Sequence, residues 1–333
     1  MDRKEKIKAV GLFSGGLDSA LAIKLIQEQG IEVIALNYMS PFFSEAHPGS
    51  MQRLADRLGV QLKLIDKVDE YIDIVREPKH GHGKNVNPCI DCKIFILREA
   101  KKFAEQIEAK FVFTGEVVGQ RPMSQHFRTL MLIEEEADLS GKLVRPLSAG
   151  ILPATEAEKN GWIDRQKLLK IRGRTRSQQL ELAKRFGLDG FLSGTSGCRL
   201  TDPGYAQRVK DLFAHEKKPL IKDIKLLAFG RHFRIGDDKI IVGRNEEEND
   251  ALLRLRENGD ILFEAKDVVG PVTILVGKPT EEAKALAAAL TARYSDSKDE
   301  QVFIKPGAIG AGHMHEIISK KISDDNLKKF RIE

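Results

Sequence analysis

The stretch KAVGLFSGGLDSALAIKLIQEQG, residues 8–30, carries the signal that decides the fold. Its first part, 8–13, is a mostly apolar run that predicts a buried strand. Apolar residues at helical spacing from Asp18 to Gln29, followed by Gly30 as a C-cap, predict a helix. The two glycines between strand and helix let the chain turn and let an anion approach the backbone, and the helix N-terminus adds positive potential. The stretch therefore predicts a strand–loop–helix unit that binds phosphate.

The loop SGGLDS, residues 14–19, differs from the two commonest phosphate-binding motifs. No Lys follows the glycines, as G-x-x-x-x-G-K-[ST] requires, and the spacing does not fit G-x-G-x-x-G. Ser14 and Ser19 carry hydroxyls that can hydrogen-bond a phosphate. The carboxylate of Asp18 would repel a phosphate unless it holds Mg²⁺ or fixes the loop. A plain strand-to-helix turn with a capping Ser is the alternative interpretation.

Strand and helix patterns alternate downstream of this loop. Such alternation predicts an α/β fold with a doubly wound parallel sheet, in which ligands bind at the carboxyl ends of the strands. The loops after Phe13, Tyr38 and Phe113 would then lie at one ligand-binding edge. Further strands are predicted over 31–38, 60–65 and 111–114, and helices over 51–58 and 94–107.

The composition is that of a globular protein long enough for two domains. The chain has 333 residues, and no window approaches the ~18 apolar residues that a membrane span needs. The N-terminus lacks the apolar segment of a signal peptide, so we expect a cytoplasmic protein. Three cysteines are too few for a disulfide framework, and an odd number favours reduced thiols, a metal site or catalysis.

The net charge of +5 is concentrated in one segment. Residues 160–222 hold 14 Lys and Arg against 6 Asp and Glu, and most of this segment has a helical pattern. An acidic polymer could dock on this block, although a solvated helical face explains it equally well.

From about residue 224 the pattern changes to alternating strands. The segment 233–244 predicts a hairpin around Gly-Asp-Asp, and 301–305 predicts another strand. Thr280 is the expected N-cap of a helix over 280–293, with Glu281 and Glu282 in its first turn. We therefore expect a first domain over 1–222, with a basic extension at 150–222 that carries Cys198, a second domain over 223–308, and a C-terminal tail over 309–333.

The loop at 14–19 resembles the SGG-x-DS loop of the ATP pyrophosphatases, the PP-loop superfamily. The resemblance implies that the loop grips the β- and γ-phosphates of ATP, that AMP is transferred to an oxygen, and that pyrophosphate leaves. Amide-forming synthetases, enzymes acting on nucleobases and tRNA thiolases share this loop, so it does not choose among them.

Two further segments resemble those of tRNA thiolases. TGEVVGQRPMSQ, residues 114–125, resembles the TGE-x-x-GQ-x-x-SQ segment of tRNA 4-thiouridine synthetases, with one extra residue before the final Ser-Gln. RPL at 145–147 resembles a triplet found downstream in the same family. NPCIDCK, residues 87–93, resembles the NPC-x-x-C segment of tRNA 2-thiouridylases and of cluster-dependent thiolases. The first match favours 4-thiouridine as the product and the last favours 2-thiouridine, and the choice stays open.

Four interpretations compete for Cys89, Cys92 and Cys198. The C-x-x-C spacing lets two thiolates reach one metal, one cluster or each other, and small residues before Cys198 permit close approach of a ligand. One interpretation is a [4Fe–4S] cluster on the three cysteines, with one iron open to carry sulfide. The others are a persulfide resolved through a transient disulfide, a structural zinc with His80 or His82 as fourth ligand, and three unrelated buried thiols. The resemblance to thiolases favours the cluster.

The segment from Phe233 onward resembles the NFACT-R domain, a predicted RNA-binding module, most specifically in GRNEEEND at 243–250. Residues 223–308 hold 13 Lys and Arg against 16 Asp and Glu, a balance that is poor for gripping phosphate. Basic residues of the predicted hairpin, including Lys239, could still form a local basic face. A structural or dimerising lid is the alternative.

These observations together predict an ATP-dependent tRNA sulfurtransferase that uses ATP, Mg²⁺ and a [4Fe–4S] cluster. Sulfur would come from sulfide or from a donor such as a cysteine desulfurase, and a homodimer is left open. A small-molecule PP-loop synthetase and a non-catalytic RNA-binding accessory factor remain as alternatives. The expected ATP-binding residues are Ser14, Gly15, Gly16, Asp18 (also for Mg²⁺), Ser19, Asn37, Tyr38, Met39, Thr114, Gly115, Gln120 and Gln125. The expected cluster ligands and catalytic residues are Cys89, Cys92 and Cys198, with Asp91 as an acid/base group or sulfur guide. The expected RNA-binding residues are Arg172, Arg174, Arg176, Arg231, Arg234 and Arg244.

Overall fold

The computed structural model describes residues 6–43, 49–188, 198–277, 279–308 and 314–332. The chain folds as two compact units, Met1–Thr201 and Asp202–Glu333. The domain boundary predicted near residue 222 falls inside the second unit, because the helices on both sides of it pack onto the C-terminal sheet. Leu226, for example, shares a core cluster with Ile241 and Leu262 of that sheet.

The first unit contains a five-stranded parallel sheet with the strand order β3-β2-β1-β4-β5. The order reverses direction at β1, which is the topological switch point where doubly wound folds bind ligands. The predicted fold class is confirmed. The strands are β1 (Lys8–Leu12), β2 (Glu32–Met39), β3 (Gln61–Asp66), β4 (Phe111–Phe113) and β5 (Leu143–Val144).

Helices cover both faces of this sheet and bury it in two apolar layers. One layer joins α1, α2 and α7 to the sheet through residues such as Leu21, Leu58 and Ala183, and the other joins α4 and α5 through Leu97 and Ile133. The helices are α1 (Leu17–Gln27), α2 (Ser50–Leu58), α3 (Val68–Arg76), α4 (Cys89–Gln106), α5 (Phe127–Glu136), α6 (Glu156–Lys159) and α7 (Ser177–Arg185). Single 3₁₀ turns occur at Ala149–Ile151, Arg165–Lys167 and Arg199–Thr201.

A close backbone contact fixes the carboxyl edge of the sheet. Gly115 follows β4, and a Cβ atom placed on it would lie 2.5 Å from the main-chain atoms of Asp18 and Ser19. Real Cβ atoms do not approach backbone that closely, so only glycine lets the segment after β4 pass the start of α1. The segment 114–125 is therefore held against the loop at 14–19.

A network of buried ion pairs supports the same edge of the sheet. The Arg145 guanidinium, which is buried, donates to Glu116 (Nε to Oε2, 3.1 Å) and to Glu134, and Lys93 Nζ lies 3.4 Å from Glu116 Oε1. Burial raises the pKa of Glu116, but the cations Lys93 and Arg145 outweigh burial and hold that pKa below its usual value. Burial keeps the pKa of Glu134 above its usual value despite Arg145.

Replacing Arg145 should destabilise the first unit strongly. Arg145→Met leaves two buried carboxylates without their shared cation, and we expect unfolding to become about 3–5 kcal/mol easier. Urea titration followed by the fluorescence of Trp162, the single tryptophan of the chain, reports on this unit. Arg185→Met is the matched control, since Arg185 pairs with the exposed Glu28 and such surface pairs contribute about 0–1 kcal/mol. Equal, small losses in both variants would contradict a supporting role for the network.

The second unit contains a six-stranded antiparallel sheet with the order β11-β10-β8-β9-β7-β6. The apolar, alanine-rich face of α11 packs on one side of it, and α9 and α10 pack on the other. The strands are β6 (Arg231–Ile235), β7 (Asp238–Val242), β8 (Ile261–Ala265), β9 (Thr273–Leu275), β10 (Gln301–Ala308) and β11 (Ile317–Lys320). The helices are α8 (Pro203–His215), α9 (Ile221–Leu226), α10 (Glu246–Leu255), α11 (Glu281–Tyr294) and α12 (Asp324–Phe330).

Two local structures that the sequence predicts in this unit, a hairpin and a helix cap, are present in the structure. The hairpin β6–β7 turns at Gly236, and Thr280 caps α11 by accepting a hydrogen bond from the Ala283 amide. The segment 314–332, set apart above as part of a tail, belongs to the unit, because β11 pairs with β10 and Leu327 packs into the core. Residues 309–313 lie outside the described residues.

The GRNEEEND motif at 243–250 holds the start of α10 in place. Asn245 caps the helix by accepting from the Glu248 amide, and the Asn249 side chain accepts from the Val272 amide at 3.0 Å. A Cβ on Gly243 would lie 2.0 Å from Asn249 Oδ1, so glycine is needed there. Within the part of the chain that the structure describes, no helix is long and apolar enough to span a bilayer.

Candidate functional site

The loop between β1 and α1 has the geometry of an anion cradle. Gly15 adopts φ +76°, a left-handed conformation that favours glycine. Gly16 is the N-cap of α1 and offers no side-chain hydrogen bond, so the first amides of the helix remain available to a ligand. Ser19 donates from Oγ to the Gly16 carbonyl at 2.8 Å, and its Oγ lies 3.3 Å from that of the exposed Ser14. The five predicted pyrophosphate-binding residues thus share one loop.

Asp18 is held by a chain of hydrogen bonds from distant parts of the sequence. Gln120 Nε2 donates to Asp18 Oδ2 at 2.7 Å, and Gln179 Nε2 donates to Gln120 Oε1 at 3.1 Å. Arg176 Nη2 lies 3.8 Å from the other carboxylate oxygen of Asp18. The predicted residues Asp18 and Gln120 therefore meet, while Gln179, which is fully buried, was not among the predictions.

Several buried polar atoms of the predicted site and its neighbours lack a hydrogen-bond partner among the described residues. They are Asp18 Oδ1, Arg176 Nε, Gln179 Oε1 and Gln125 Oε1. A buried polar group without a partner costs about 1–3 kcal/mol. Carboxylate oxygens are suitable ligands for Mg²⁺, and guanidinium groups are suitable for phosphate, so a magnesium–polyphosphate ligand would satisfy this donor set.

Three of the predicted ATP-binding residues after β4 have structural contacts of their own. Thr114 is buried and donates from Oγ1 to Glu116 Oε2 at 3.1 Å, so its hydroxyl supports the ion network. Gly115 provides the close approach to α1. Gln125 closes the segment, because its carbonyl accepts from the Gly119 amide at 2.6 Å.

The residues after β2 serve the fold as well as the edge. Asn37 Nδ2 donates to the Phe13 carbonyl at 2.7 Å and so ties the ends of β1 and β2 together. The Tyr38 ring is buried against Tyr71 and Phe95, and its hydroxyl donates to the Lys67 carbonyl. Met39 remains exposed at the edge. Of these three predicted ATP-binding residues, only Met39 presents an exposed side chain.

The helix α4 begins at Cys89, five residues earlier than its apolar pattern predicts. Cys89 and Cys92 therefore stand three apart in the first helical turn and face the same side. Asn87 Nδ2 donates to Cys89 Sγ at 3.2 Å, and the Tyr71 hydroxyl hydrogen-bonds the Cys92 sulfur. Cys198 forms a backbone bridge with Phe43, whose ring packs on that of Tyr71. No sequence pattern predicts Tyr71 or Asn87 as partners of the sulfurs.

Burial raises the pKa of two of the three cysteine thiols. Burial raises the pKa of Cys92 to about 12, with smaller contributions from the other two cysteines, and raises that of Cys198 to about 11, with a contribution from Cys89. Both shifts thus include a repulsive contribution from at least one other cysteine. Among the described residues, no three Cys, His or acidic side chains are gathered tightly enough for one metal ion.

The histidines and Asp91 have other partners. His80 Nε2 lies 2.9 Å from Glu136 Oε1, and His82 Nε2 lies 2.8 Å from the Val75 carbonyl. The zinc interpretation therefore lacks its expected fourth ligand in the described chain. Asp91 accepts from the His80 amide at 3.0 Å, which fixes the preceding loop; its chemical role stays a prediction.

The six arginines predicted to bind RNA occupy different environments. Arg172 and Arg174 are exposed on the segment before α7, whereas Arg176 turns towards Asp18. In the second unit Arg231 lies over the Tyr294 ring at 4.4 Å, and Arg244 pairs with Glu248.

Asp211 of α8 takes up the charge of the hairpin β6–β7. Arg234 donates to both of its oxygens, at 3.1 and 2.6 Å, and Lys239 Nζ donates at 2.7 Å. Burial lowers the pKa of Lys239 to about 8 even though Asp211 opposes the shift. Arg234 and Lys239 of the expected basic face thus share one carboxylate within the unit, which offsets part of their charge.

Comparison with known protein families assigns both units. Residues 5–150 match the family described as thiamine biosynthesis protein (ThiI), and residues 230–331 match the family described as NFACT protein RNA binding domain. The first match ends before α6 and α7, so the segment that carries Arg176 and Gln179 lies outside it.

Individual relatives match parts of the chain. A tRNA-specific 2-thiouridylase MnmA from Sulfurimonas denitrificans is 35% identical over 113 residues, which cover 32% of this chain and 33% of that protein. A probable tRNA sulfurtransferase from Thermococcus kodakarensis is 26% identical over 146 residues, which cover 42% of this chain and 36% of that protein. The chain thus spans only about a third of the length of these curated relatives.

Among solved structures, a 4-thiouridine synthetase–RNA complex with bound ATP is similar over 66% of this chain and 52% of that chain, with 22% identity and a TM-score of 0.43. The two family matches agree with the loop at 14–19, the segment at 114–125 and the motif at 243–250. Residues 5–150 are therefore similar to the ThiI family of PP-loop domains, and residues 230–331 are similar to the NFACT family of RNA-binding domains.

Proposed function

We propose that the protein is an ATP-dependent tRNA sulfurtransferase, which activates a uridine carbonyl oxygen and replaces it with sulfur. The observation that carries this proposal is the contact between the cysteine segment and the segment beside the phosphate loop. Asn87 reaches both Cys89 Sγ and Met123 Sδ (3.8 Å), and Lys93 reaches Glu116. Activation and sulfur chemistry would thus share one edge of one sheet.

The phosphate loop suits the activation step. The uridine carbonyl oxygen attacks the α-phosphorus of ATP, the bond between that phosphorus and the bridging oxygen breaks, and pyrophosphate leaves. The amides at the start of α1 and the Ser14 hydroxyl would bind the leaving pyrophosphate. Asp18 would hold Mg²⁺, and that ion would supply positive charge next to the phosphates. An unactivated carbonyl loses oxygen poorly, whereas the adenylated oxygen departs with AMP.

The three cysteines suit the second step. Two of their sulfurs are hydrogen-bonded by Asn87 and Tyr71, as ligands of iron–sulfur clusters often are. Cys89, Cys92 and Cys198 would hold a [4Fe–4S] cluster. Such a group would supply bound sulfide for attack on the activated carbon. The alternative is a persulfide on one of the same cysteines, with sulfur delivered by a desulfurase.

The choice of tRNA as substrate is supported by the family of residues 230–331 and by the printed functions of the relatives. Exposed Arg172 and Arg174 can meet phosphates directly, because neither forms an ion pair among the described residues. Arg234 and Lys239 would have to leave Asp211.

Asp18→Asn should abolish activation without removing the sulfur site. Pyrophosphate release in the presence of unmodified tRNA and MgATP should fall on the order of a hundredfold, because a misplaced metal forfeits charge stabilisation in the transition state. Iron and acid-labile sulfide should stay at the wild-type level. Asp56→Asn is the matched control, since Asp56 lies on α2 with an exposed contact to Gln52. Unchanged pyrophosphate release in Asp18→Asn would contradict the role of this loop.

Cys198→Ala should have the opposite effect. After anaerobic reconstitution the wild type should hold about four iron and four sulfide ions per chain, and the variant far fewer. The variant should still release pyrophosphate with tRNA but form no thiouridine, as measured by mass spectrometry of digested tRNA. A wild type that forms thiouridine without iron would support the persulfide instead, and a wild type that never forms thiouridine would refute the sulfurtransferase.

Arg234→Gln should reveal a structural rather than an RNA-binding role. Because it leaves Asp211 with one partner fewer in a half-buried position, we expect the second unit to lose about 1–3 kcal/mol of stability. Arg172→Gln should leave stability unchanged and weaken tRNA binding, with a shallower dependence on salt concentration. Circular dichroism during urea unfolding and fluorescence anisotropy with labelled tRNA measure the two effects. Weaker tRNA binding by a fully stable Arg234→Gln would contradict this assignment.

A further inference from the structure

The turn that leads into α7 brings a cation and an amide to the phosphate loop from outside the matched family region. We propose that Arg176 and Gln179 complete the pyrophosphate site: Arg176 as a ligand of the β- and γ-phosphates, and Gln179 as a positioning residue for Asp18. This inference rests on the proposed use of ATP and extends it to two residues that neither the ThiI match nor the NFACT match covers.

Arg176 has the position and the unsatisfied donors of a phosphate ligand. Its Nη2 stops 3.8 Å from Asp18 Oδ1, beyond hydrogen-bond distance, and its buried Nε has no hydrogen-bond partner among the described residues. A structural ion pair in a half-buried site would close to a bidentate contact. The open distance instead leaves donors on one side and a free carboxylate oxygen on the other. A phosphate on the guanidinium and Mg²⁺ on the carboxylate satisfy both groups together.

Gln179 acts through Gln120. Its Nε2 donates to Gln120 Oε1, which forces the Gln120 amide to present its NH₂ group to Asp18 Oδ2. That contact holds the Asp18 side chain with its second oxygen free for the metal. Gln179 is fully buried, so it cannot reach bulk solvent and its orientation is set by the protein alone.

The alternative to a phosphate ligand is a purely structural pairing between Arg176 and Asp18. The two interpretations differ in what they require of ligands. A phosphate ligand contributes to the binding of pyrophosphate and ATP but not to that of AMP, whereas a structural pair affects all three ligands equally by changing the loop.

Binding of inorganic pyrophosphate, ATP and AMP to the full chain tests Arg176. In isothermal titration with Mg²⁺, Arg176→Gln should weaken pyrophosphate and ATP binding by about tenfold or more, since charge-assisted hydrogen bonds are lost, and leave AMP binding within about twofold. Arg176→Lys keeps the charge and should bind pyrophosphate with intermediate affinity. Arg185→Gln, which removes the same charge from the exposed side of α7, should match the wild type.

The outcomes separate this inference from the proposed function. A wild type that binds neither ATP nor pyrophosphate would overturn both. A wild type that binds both, together with an Arg176→Gln variant of unchanged pyrophosphate affinity, would overturn the inference alone. Equal losses for pyrophosphate and AMP would also overturn it, because they would indicate a structural role.

The magnesium dependence of pyrophosphate binding tests Gln179. Gln179→Leu should raise the Mg²⁺ concentration for half-maximal binding several-fold, while the exposed neighbour change Gln178→Leu should not. If Gln179 acts through Asp18, adding Gln179→Leu to Asp18→Asn should cause no further shift. Independent, additive effects of the two changes would overturn the positioning role, and thermal unfolding of each variant verifies that it is folded.

Discussion

The close approach of Gly115 to the first turn of α1 is the constraint on which the candidate site depends. A side chain at position 115 would collide with the backbone of Asp18. The segment after β4 can therefore pass the phosphate loop only because residue 115 is glycine. That passage brings Gln120 to Asp18. It also brings Met123 to Asn87, and through Asn87 to Cys89. One short contact thereby connects the two halves of the proposed reaction.

Buried charge is treated differently in the two units. In the first unit Arg145 and Lys93 form ion pairs with the buried carboxylates, while Asp18 Oδ1 has no hydrogen-bond partner in the described chain. The ion pairs support the sheet edge, and the Asp18 oxygen is free to take a metal. In the second unit Asp211 pairs with both Arg234 and Lys239, so cations that look like an RNA-binding face serve the fold. The presence of arginine in a hairpin is therefore a weaker indication of RNA binding than its freedom from internal partners.

The proposed reaction requires an activating site and a sulfur site that lie next to each other but provide different chemical environments. Phosphates and Mg²⁺ need donors and carboxylates, which the loop at 14–19 and the turn before α7 provide. Sulfur ligands need a drier environment, which the aromatic rings of Tyr38, Tyr71 and Phe95 provide around Cys92. Asn87 and Lys93 lie at the boundary between these two environments.

The sequence by itself determined the features that depend on neighbours along the chain. The SGGLDS loop, the alternation of strands and helices, the hairpin at Gly236 and the cap at Thr280 all follow from local spacing and backbone preference. One local prediction was wrong: the sequence pattern placed the start of α4 after Cys89, because Pro88 made the first helical turn difficult to recognise. Only the tertiary structure decided which polar groups meet. Gln120 contacts Asp18 across 102 residues and Gln179 contacts Gln120 across 59, and Arg234 contacts Asp211 of α8 across 23. Such contacts leave no periodic pattern in the sequence, because the fold and not the chain order makes these residues neighbours.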